Sequence, residues 1–205
     1  MLSIFIASWI KLLFLFAPFF AISMFLALTQ GCCNARKRGI IRRALIAAAI
    51  ICLILFFAGT PLFELLGITL DSFRIGAGSL LFLTAINLVN SDSKGHSKQI
   101  TEKQRNDIAV VPLAIPTIVG PATIGAVLVY GAELNEPQEI IAGLSGLGCA
   151  LLSLGLLLYL ASTLERLLGH TGLNILSKIT GLILAAMAAQ IVFTGIANFF
   201  GITPL

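Results

Sequence analysis

The chain has 205 residues, of which 58% are hydrophobic and 11% are charged, and its formal net charge is +4. Soluble domains carry about 25% charged residues, so this composition, with a mean hydropathy of +1.03, excludes a water-soluble fold. The four cysteines show neither a disulfide framework nor a metal-ligand spacing with histidine. The sequence therefore predicts an integral membrane protein.

Six apolar runs are long enough to form membrane-spanning helices, which need about 17–25 residues. The first run contains Lys11, which we expect either to snorkel towards the interface or to face the bundle interior. A cleaved signal peptide is disfavoured there, because no basic residue precedes Lys11 and no Ala-x-Ala site is present. The runs do not alternate, which favours helices over the strands of a membrane barrel. They cover residues 3–28, 44–63, 75–91, 108–132, 140–164 and 179–205.

The basic residues predict the orientation of these helices. The odd-numbered connections between the runs hold 11 of the 13 Lys and Arg residues. Basic residues concentrate in cytoplasmic connections, so we expect these connections, including a linker at 92–107, to be cytoplasmic. Both termini are then predicted outside the cell. The net positive charge follows from this topology and indicates no nucleic-acid partner.

A short internal repeat relates the two halves of the chain. A Leu-Leu-Gly-x-Thr stretch at 65–69 precedes Arg74, and the same stretch at 167–171 precedes Lys178. In the predicted topology the second half runs opposite to the first. The predicted fold class is thus an all-α membrane protein, with six transmembrane helices in two inverted three-helix repeats. Repeat one covers about 1–91 and repeat two about 108–205 of a single transmembrane domain, with chance similarity as the alternative.

Proline and glycine predict breaks in the first and fourth helices. Residues 112–125 contain three prolines and two glycines, and a proline removes a backbone donor from the helix. Exposed half-helix N-termini attract carboxylates, so these breaks predict a substrate site, with simple packing kinks as the alternative. Asn87 and Gln190 are equally candidates for lining a cavity or for joining helices. The predicted substrate-binding residues are Pro18, Ser23, Pro116, Thr117, Gly120, Pro121, Thr123, Asn87 and Gln190.

The charged and catalytic candidates are few. Asp71 and Arg74 are three residues apart and predict a salt bridge at a helix start, while an ion-coupling role for Asp71 or Asp107 is the alternative. His96 and His170 have no companion metal ligands, so we expect no metal, no cofactor and no catalytic residue. No Walker-type loop is present, so the sequence indicates no direct use of ATP.

Three blocks of the chain, at 72–83, 112–124 and 178–181, resemble the MarC family of six-span inner-membrane proteins. The resemblance extends over most of the chain and implies a transporter of neutral amino acids such as glycine and alanine. One stretch departs from the family pattern. Where the family has Asn-Pro-x-Gly-x-x-Pro in its first helix, residues 17–23 read Ala-Pro-Phe-Phe-Ala-Ile-Ser, which implies altered specificity or weak transport.

We therefore expect a secondary transporter for small neutral amino acids or similar metabolites, working by alternating access in a bacterial inner membrane. Its expected partners are the lipid bilayer and a small-molecule substrate, and the sequence leaves a homo-oligomer open. The alternative is a non-transporting membrane scaffold or subunit. An intramembrane enzyme is disfavoured, because acidic, basic and metal-binding side chains do not cluster.

Overall fold

The computed structural model describes residues 2–29, 31–90, 118–134 and 136–201, and all regular secondary structure in these ranges is helical. Four of the helices are long and apolar enough to span a membrane, and the bent pair α1–α2 makes a fifth candidate span. The all-helical membrane fold is therefore confirmed. The helices are α1 (Leu2–Leu15), α2 (Pro18–Leu28), α3 (Asn34–Leu66), α4 (Leu70–Asn90), α5 (Pro121–Glu133), α6 (Pro137–Tyr159) and α7 (Ala161–Phe199).

The sixth predicted span is described only in part. Helix α5 has 13 residues, about 20 Å of helix, which is shorter than a hydrocarbon core of about 30 Å. The residues before Ile118 that would complete this span lie outside the described residues, as does the predicted linker at 92–107. The six-helix inverted repeat and its division at about 1–91 and 108–205 stay predictions.

The first predicted span is broken where the sequence places Pro18. Helix α1 ends at Leu15, α2 begins at Pro18, and the two are bent by 40°. Ala17 between them adopts the left-handed region, with φ 44° and ψ 62°, which costs an L-residue roughly 1–2 kcal/mol. Its N–H donates to the carbonyl of Phe14 at 2.9 Å. The strained turn is buried, because Phe16 and Ala17 expose only 0% and 7% of their surfaces.

The basic stretches at 36–43 and 165–178, expected to be connections, are helical instead. Arg, Lys and Leu are good helix formers, so the helices continue beyond the hydrocarbon core. Helix α3 has 33 residues, about 50 Å of helix, against a core of about 30 Å. Helix α7 contains one interruption at Gly169, whose φ of 66° lies outside the helical region.

The largest helix–helix interface joins α4 and α7, which run antiparallel. A Cβ on Gly78 would lie 2.6 Å from Val192 Cγ2, and a Cβ on Gly181 would lie 2.9 Å from Val89 Cγ2. Without a solvent-driven hydrophobic force in lipid, such close backbone approach is a main source of helix association. The small-residue faces predicted on these two helices are thus packing surfaces.

The remaining helices pack around this pair. Helix α1 contacts α6, α2 contacts α7, and α5 contacts both α3 and α4. Trp9 on α1 donates its indole N–H to Ser153 Oγ on α6 at 3.0 Å. A single apolar cluster of buried residues draws on all seven helices. The large exposed apolar side chains, such as Phe57, Leu152 and Phe193, are available to contact lipid.

Replacing Gly78 by alanine is expected to destabilise the protein, because the new methyl group would crowd Val192 and separate α4 from α7. Overpacking of this kind costs about 1–3 kcal/mol. The matched control is Gly76→Ala on the same helix, where a Cβ has no neighbour within 4 Å. Thermal unfolding of both variants in detergent should show a lower midpoint for Gly78→Ala alone, and equal midpoints would contradict the close-packing account.

Candidate functional site

A cavity of about 150 Å³ lies between α1, α4, α5 and α7, and we call it the central cavity. Its wall is largely apolar and includes only a few polar side chains, as is typical of small-molecule sites. It is built from both halves of the chain, which makes it the candidate functional site. The lining residues are Lys11, Leu12, Leu15, Leu81, Ala126, Val129, Tyr130, Glu133, Met187, Gln190 and Ile191.

Tyr130 is fixed in the cavity wall by contacts to two other helices. Its hydroxyl is hydrogen-bonded to Ser8 Oγ on α1, and Ser8 in turn donates to the carbonyl of Ile4 at 2.6 Å. The Tyr130 ring packs edge-on against Phe56 of α3, with 6.2 Å between the ring centroids. Since a phenol in an apolar setting needs a hydrogen-bond partner, Ser8 determines where this hydroxyl lies.

Arg74 joins three helices next to the cavity. Its Nη1 lies 2.6 Å from Asp71 Oδ1, and its Nη2 lies 2.9 Å from Glu133 Oε1 on α5. Asn198 of α7 donates to the same Asp71 oxygen at 3.2 Å. We call these four residues the Arg74 cluster. The predicted Asp71–Arg74 pair is confirmed, and the planar guanidinium allows Arg74 to contact both carboxylates at once.

Lys11 and Glu133 give the central cavity charges of both signs. Of the two predicted positions for Lys11, the structure shows the one in which it contributes to the cavity wall. Within the described residues Lys11 has no ion pair. Glu133 belongs both to the cavity wall and to the Arg74 cluster. The cavity can therefore attract a carboxylate through Lys11 and an ammonium group through Glu133, while its apolar wall accepts a small side chain.

The predicted residues of the first break turn towards their own helix. Pro18 is buried at the first position of α2. The Ser23 hydroxyl donates to the carbonyl of Phe19 at 3.1 Å, one turn earlier. Neither residue is part of the central cavity wall.

At the second break, Gly120 is extended, with φ −84° and ψ 173°, and Pro121 begins α5. The buried Thr123 hydroxyl donates to the carbonyl of Ile118 at 3.3 Å, across this break. Pro116 and Thr117, together with Asp107, lie outside the described residues.

Asn87 and Gln190 differ in their positions. Gln190 lines the central cavity, and its amide Nε2 is 3.5 Å from Thr194 Oγ1 on the same helix. Asn87 is exposed on α4 and is not part of this wall. A substrate-binding role for the nine predicted residues stays a prediction.

The sequence analysis did not single out Tyr130 or Glu133. Both lie where the fourth apolar run ends, and residues at such positions are ordinarily assigned to the membrane interface. The available signal was their spacing of three residues, which predicts that both lie on one helix face. Which neighbouring helices this face meets is decided by tertiary packing alone.

Comparison with known proteins now identifies the family. The profile described as "MarC family integral membrane protein" matches residues 2–200. The chain belongs to the MarC family. No solved structure matches it.

Relatives of this MarC-family chain occur in distant organisms. A UPF0056 membrane protein of Aquifex aeolicus (strain VF5) is 32% identical, with 95% of this chain and 93% of the relative covered. UPF0056 membrane protein YhcE of Escherichia coli (strain K12) is 31% identical, with 94% and 91% covered. A UPF0056 membrane protein of Methanocaldococcus jannaschii is 33% identical, with 95% and 97% covered. The resemblance seen in the sequence is confirmed.

Replacing Arg74 by alanine is expected to lower the thermal unfolding midpoint, because Asp71 and Glu133 would lose a shared cation. The loss corresponds to about 2 kcal/mol, the scale of charged hydrogen bonds in partly buried sites. Arg74→Lys should recover only part of it, since a point charge does not reproduce the fork. Arg43→Ala, at an exposed position on α3, is the control, and an equal effect there would show that charge loss alone is responsible.

Proposed function

We propose that this MarC-family protein is a carrier, not an enzyme, that moves small neutral amino acids or similar metabolites across a bacterial inner membrane. The observation that carries the proposal is the central cavity, where Lys11 and Glu133 offer opposite charges beside an apolar wall. This pattern suits a zwitterion with a small side chain. Its volume also supports a small ligand, because a cavity of about 150 Å³ in another protein accommodates benzene, which is close to alanine in its number of non-hydrogen atoms.

Alternating access requires two similar halves, and the α4–α7 interface supports such an arrangement. A Cβ on Gly78 would meet Val192 and the Ala188 carbonyl, and a Cβ on Gly181 would meet Val89 and the Ala85 carbonyl. Each of these contacts recurs with the two halves exchanged, as in an interface with two-fold symmetry. The counterparts are all 103 residues apart, namely Gly78 and Gly181, Ala85 and Ala188, and Val89 and Val192.

The other helix contacts support the same inverted repeat. If α1 and α2 correspond to the span that ends in α5, and α3 corresponds to α6, then the α1–α6 contact has its counterpart in α5–α3. The α2–α7 contact likewise has its counterpart in α5–α4. In transporters built this way, one repeat rocks against the other around a central site. The α4–α7 interface is the surface on which we propose that the halves move.

The broken helices provide further support. Phe16 and Ala17 from the first break, and Ile118 and Val119 from the second, belong to one buried apolar cluster. Irregular backbone at membrane depth is tolerated where protein or a wet cavity surrounds it. Phe19 and Phe20, which replace smaller residues of the family pattern, pack against this cluster. We therefore propose that the substrate enters beside the breaks and binds in the central cavity.

Transport is tested with purified protein in proteoliposomes and radiolabelled glycine, alanine and serine. The informative variant is Ala126→Leu, because the added side chain would occupy the central cavity, whose wall includes Ala126. Changes of this size in a binding pocket alter rates by about tenfold or more, so uptake should fall by at least that factor. Ala186→Leu, at an exposed position on α7, adds the same atoms outside the cavity and should retain uptake.

Gly120-Pro121→Ala-Ala should also abolish uptake in protein that still unfolds cooperatively, because the break in the fourth span would be removed. Normal uptake by both Ala126→Leu and Gly120-Pro121→Ala-Ala would contradict the proposed site. If the wild-type protein moves none of these amino acids under ion or substrate gradients, the scaffold alternative is favoured.

The proposed orientation, with both termini outside, is tested by labelling with a membrane-impermeant maleimide in intact spheroplasts. Cys33 is exposed next to the start of α3 and is proposed to be cytoplasmic, so it should react only after lysis. Glu136→Cys in a background without native cysteines lies on the connection before α6 and should react in intact spheroplasts. The reverse pattern would overturn the orientation and leave the fold unaffected.

A further inference from the structure

A second cavity of about 150 Å³ lies where α2, α3, α6 and the start of α7 meet, and we call it the basic cavity. It is at the other end of α3 and α6 from the Arg74 cluster, because its wall includes the start of α3 and the end of α6. It shares no residue with the central cavity. Its occupant is thus independent of the transported substrate.

The wall of the basic cavity has two chemically different parts. One part is polar and carries two positive charges, from Asn34, Lys37, Arg38 and Ser162. The other part is apolar and is formed by Phe25, Leu26, Ile41 and Leu158. A ligand that satisfies both parts must combine an anionic group with a hydrocarbon segment.

The two charges have no carboxylate partner in the protein. Within the described residues, neither Lys37 nor Arg38 forms an ion pair with Asp or Glu. The Arg38 guanidinium carbon instead lies 5.2 Å from the centre of the Tyr159 ring, a cation–π arrangement that leaves its N–H groups available to an anion. Arg74 at the other end of the bundle, by contrast, is neutralised by two carboxylates.

The depth of the basic cavity matches the lipid headgroups. The uncharged run at 44–63 accounts for about 30 Å of helix, the thickness of the hydrocarbon core. Lys37 and Arg38 lie only about 10 Å before this run, within reach of the headgroup layer for a long side chain. Tyr159, at the last position of α6, is of the residue type that is enriched at this interface.

We propose that the basic cavity binds the phosphate headgroup of an anionic phospholipid, with Lys37 and Arg38 contacting the phosphate. The glycerol and upper acyl chain would pack along Phe25, Leu26 and Ile41. Basic pockets between transmembrane helices bind anionic headgroups in this way. An inorganic phosphate or a soluble phosphodiester shares the charge of the headgroup, but it leaves the apolar part of the wall without a partner.

The test uses the full-length protein purified in detergent, with phosphatidylglycerol and phosphatidylcholine as matched probes. Retained lipid is counted by native mass spectrometry. The wild-type protein should retain phosphatidylglycerol in preference to phosphatidylcholine, and the double variant Lys37→Gln and Arg38→Gln should reduce this preference by about tenfold or more. The matched control is Arg42→Gln and Arg43→Gln, which removes the same charge from exposed positions on the same helix outside the cavity.

Equal losses in the two double variants would show only general attraction to a basic surface and would overturn the proposal, as would no loss in either. Competition distinguishes the source of the phosphate. If millimolar glycerophosphoglycerol displaces the lipid as effectively as added phosphatidylglycerol does, the apolar wall contributes nothing and a lipid is not the occupant. A second readout needs no variant, because phosphatidylglycerol should raise the thermal midpoint of the wild-type protein more than phosphatidylcholine does.

Discussion

The close contact of α4 with α7 is the packing interaction around which the other helices are arranged. Glycine at positions 78 and 181 lets the two backbones approach until neighbouring valine side chains fill the remaining space. In lipid this van der Waals contact replaces the hydrophobic effect as the force that joins helices. Helices α2 and α5 pack on this pair and place α1, α3 and α6 outside it. The central cavity opens beside α4 and α7, where α1 and α5 do not fill the space against them.

A second constraint is the need to satisfy backbone polar groups without water. It explains why the broken span at Ala17 is enclosed by protein, with its N–H bonded to Phe14 and its neighbours almost inaccessible. The strain at this residue is tolerated because Pro18 prevents a continuous helix and because the surrounding apolar cluster holds the turn. Breaks of this kind concentrate irregular backbone next to the site that we propose for transport.

The two ends of the bundle use positive charge differently. At one end Arg74 is held between two carboxylates and an amide and ties together α4, α5 and α7. At the other end Lys37 and Arg38 have no carboxylate partner among the described residues, and they line a cavity that is apolar on its other side. The first arrangement is self-contained and structural. The second requires an anion from outside the protein, which is the physical basis for assigning it to a lipid.

The sequence by itself determined the membrane class, the helical fold, the family, the break at Pro18 and the local Asp71–Arg74 pair. Each of these depends on composition or on residues within a few positions of one another, which spacing along the chain can reveal. Tertiary structure alone decided that Glu133 completes the Arg74 cluster, 59 residues from its partner, and that Ser8 holds Tyr130 across 122 residues. It also decided that the basic stretches are helical and converge on a cavity. Such contacts depend on how each helix is rotated and packed against its neighbours, and the spacing of residues along the chain does not encode this geometry.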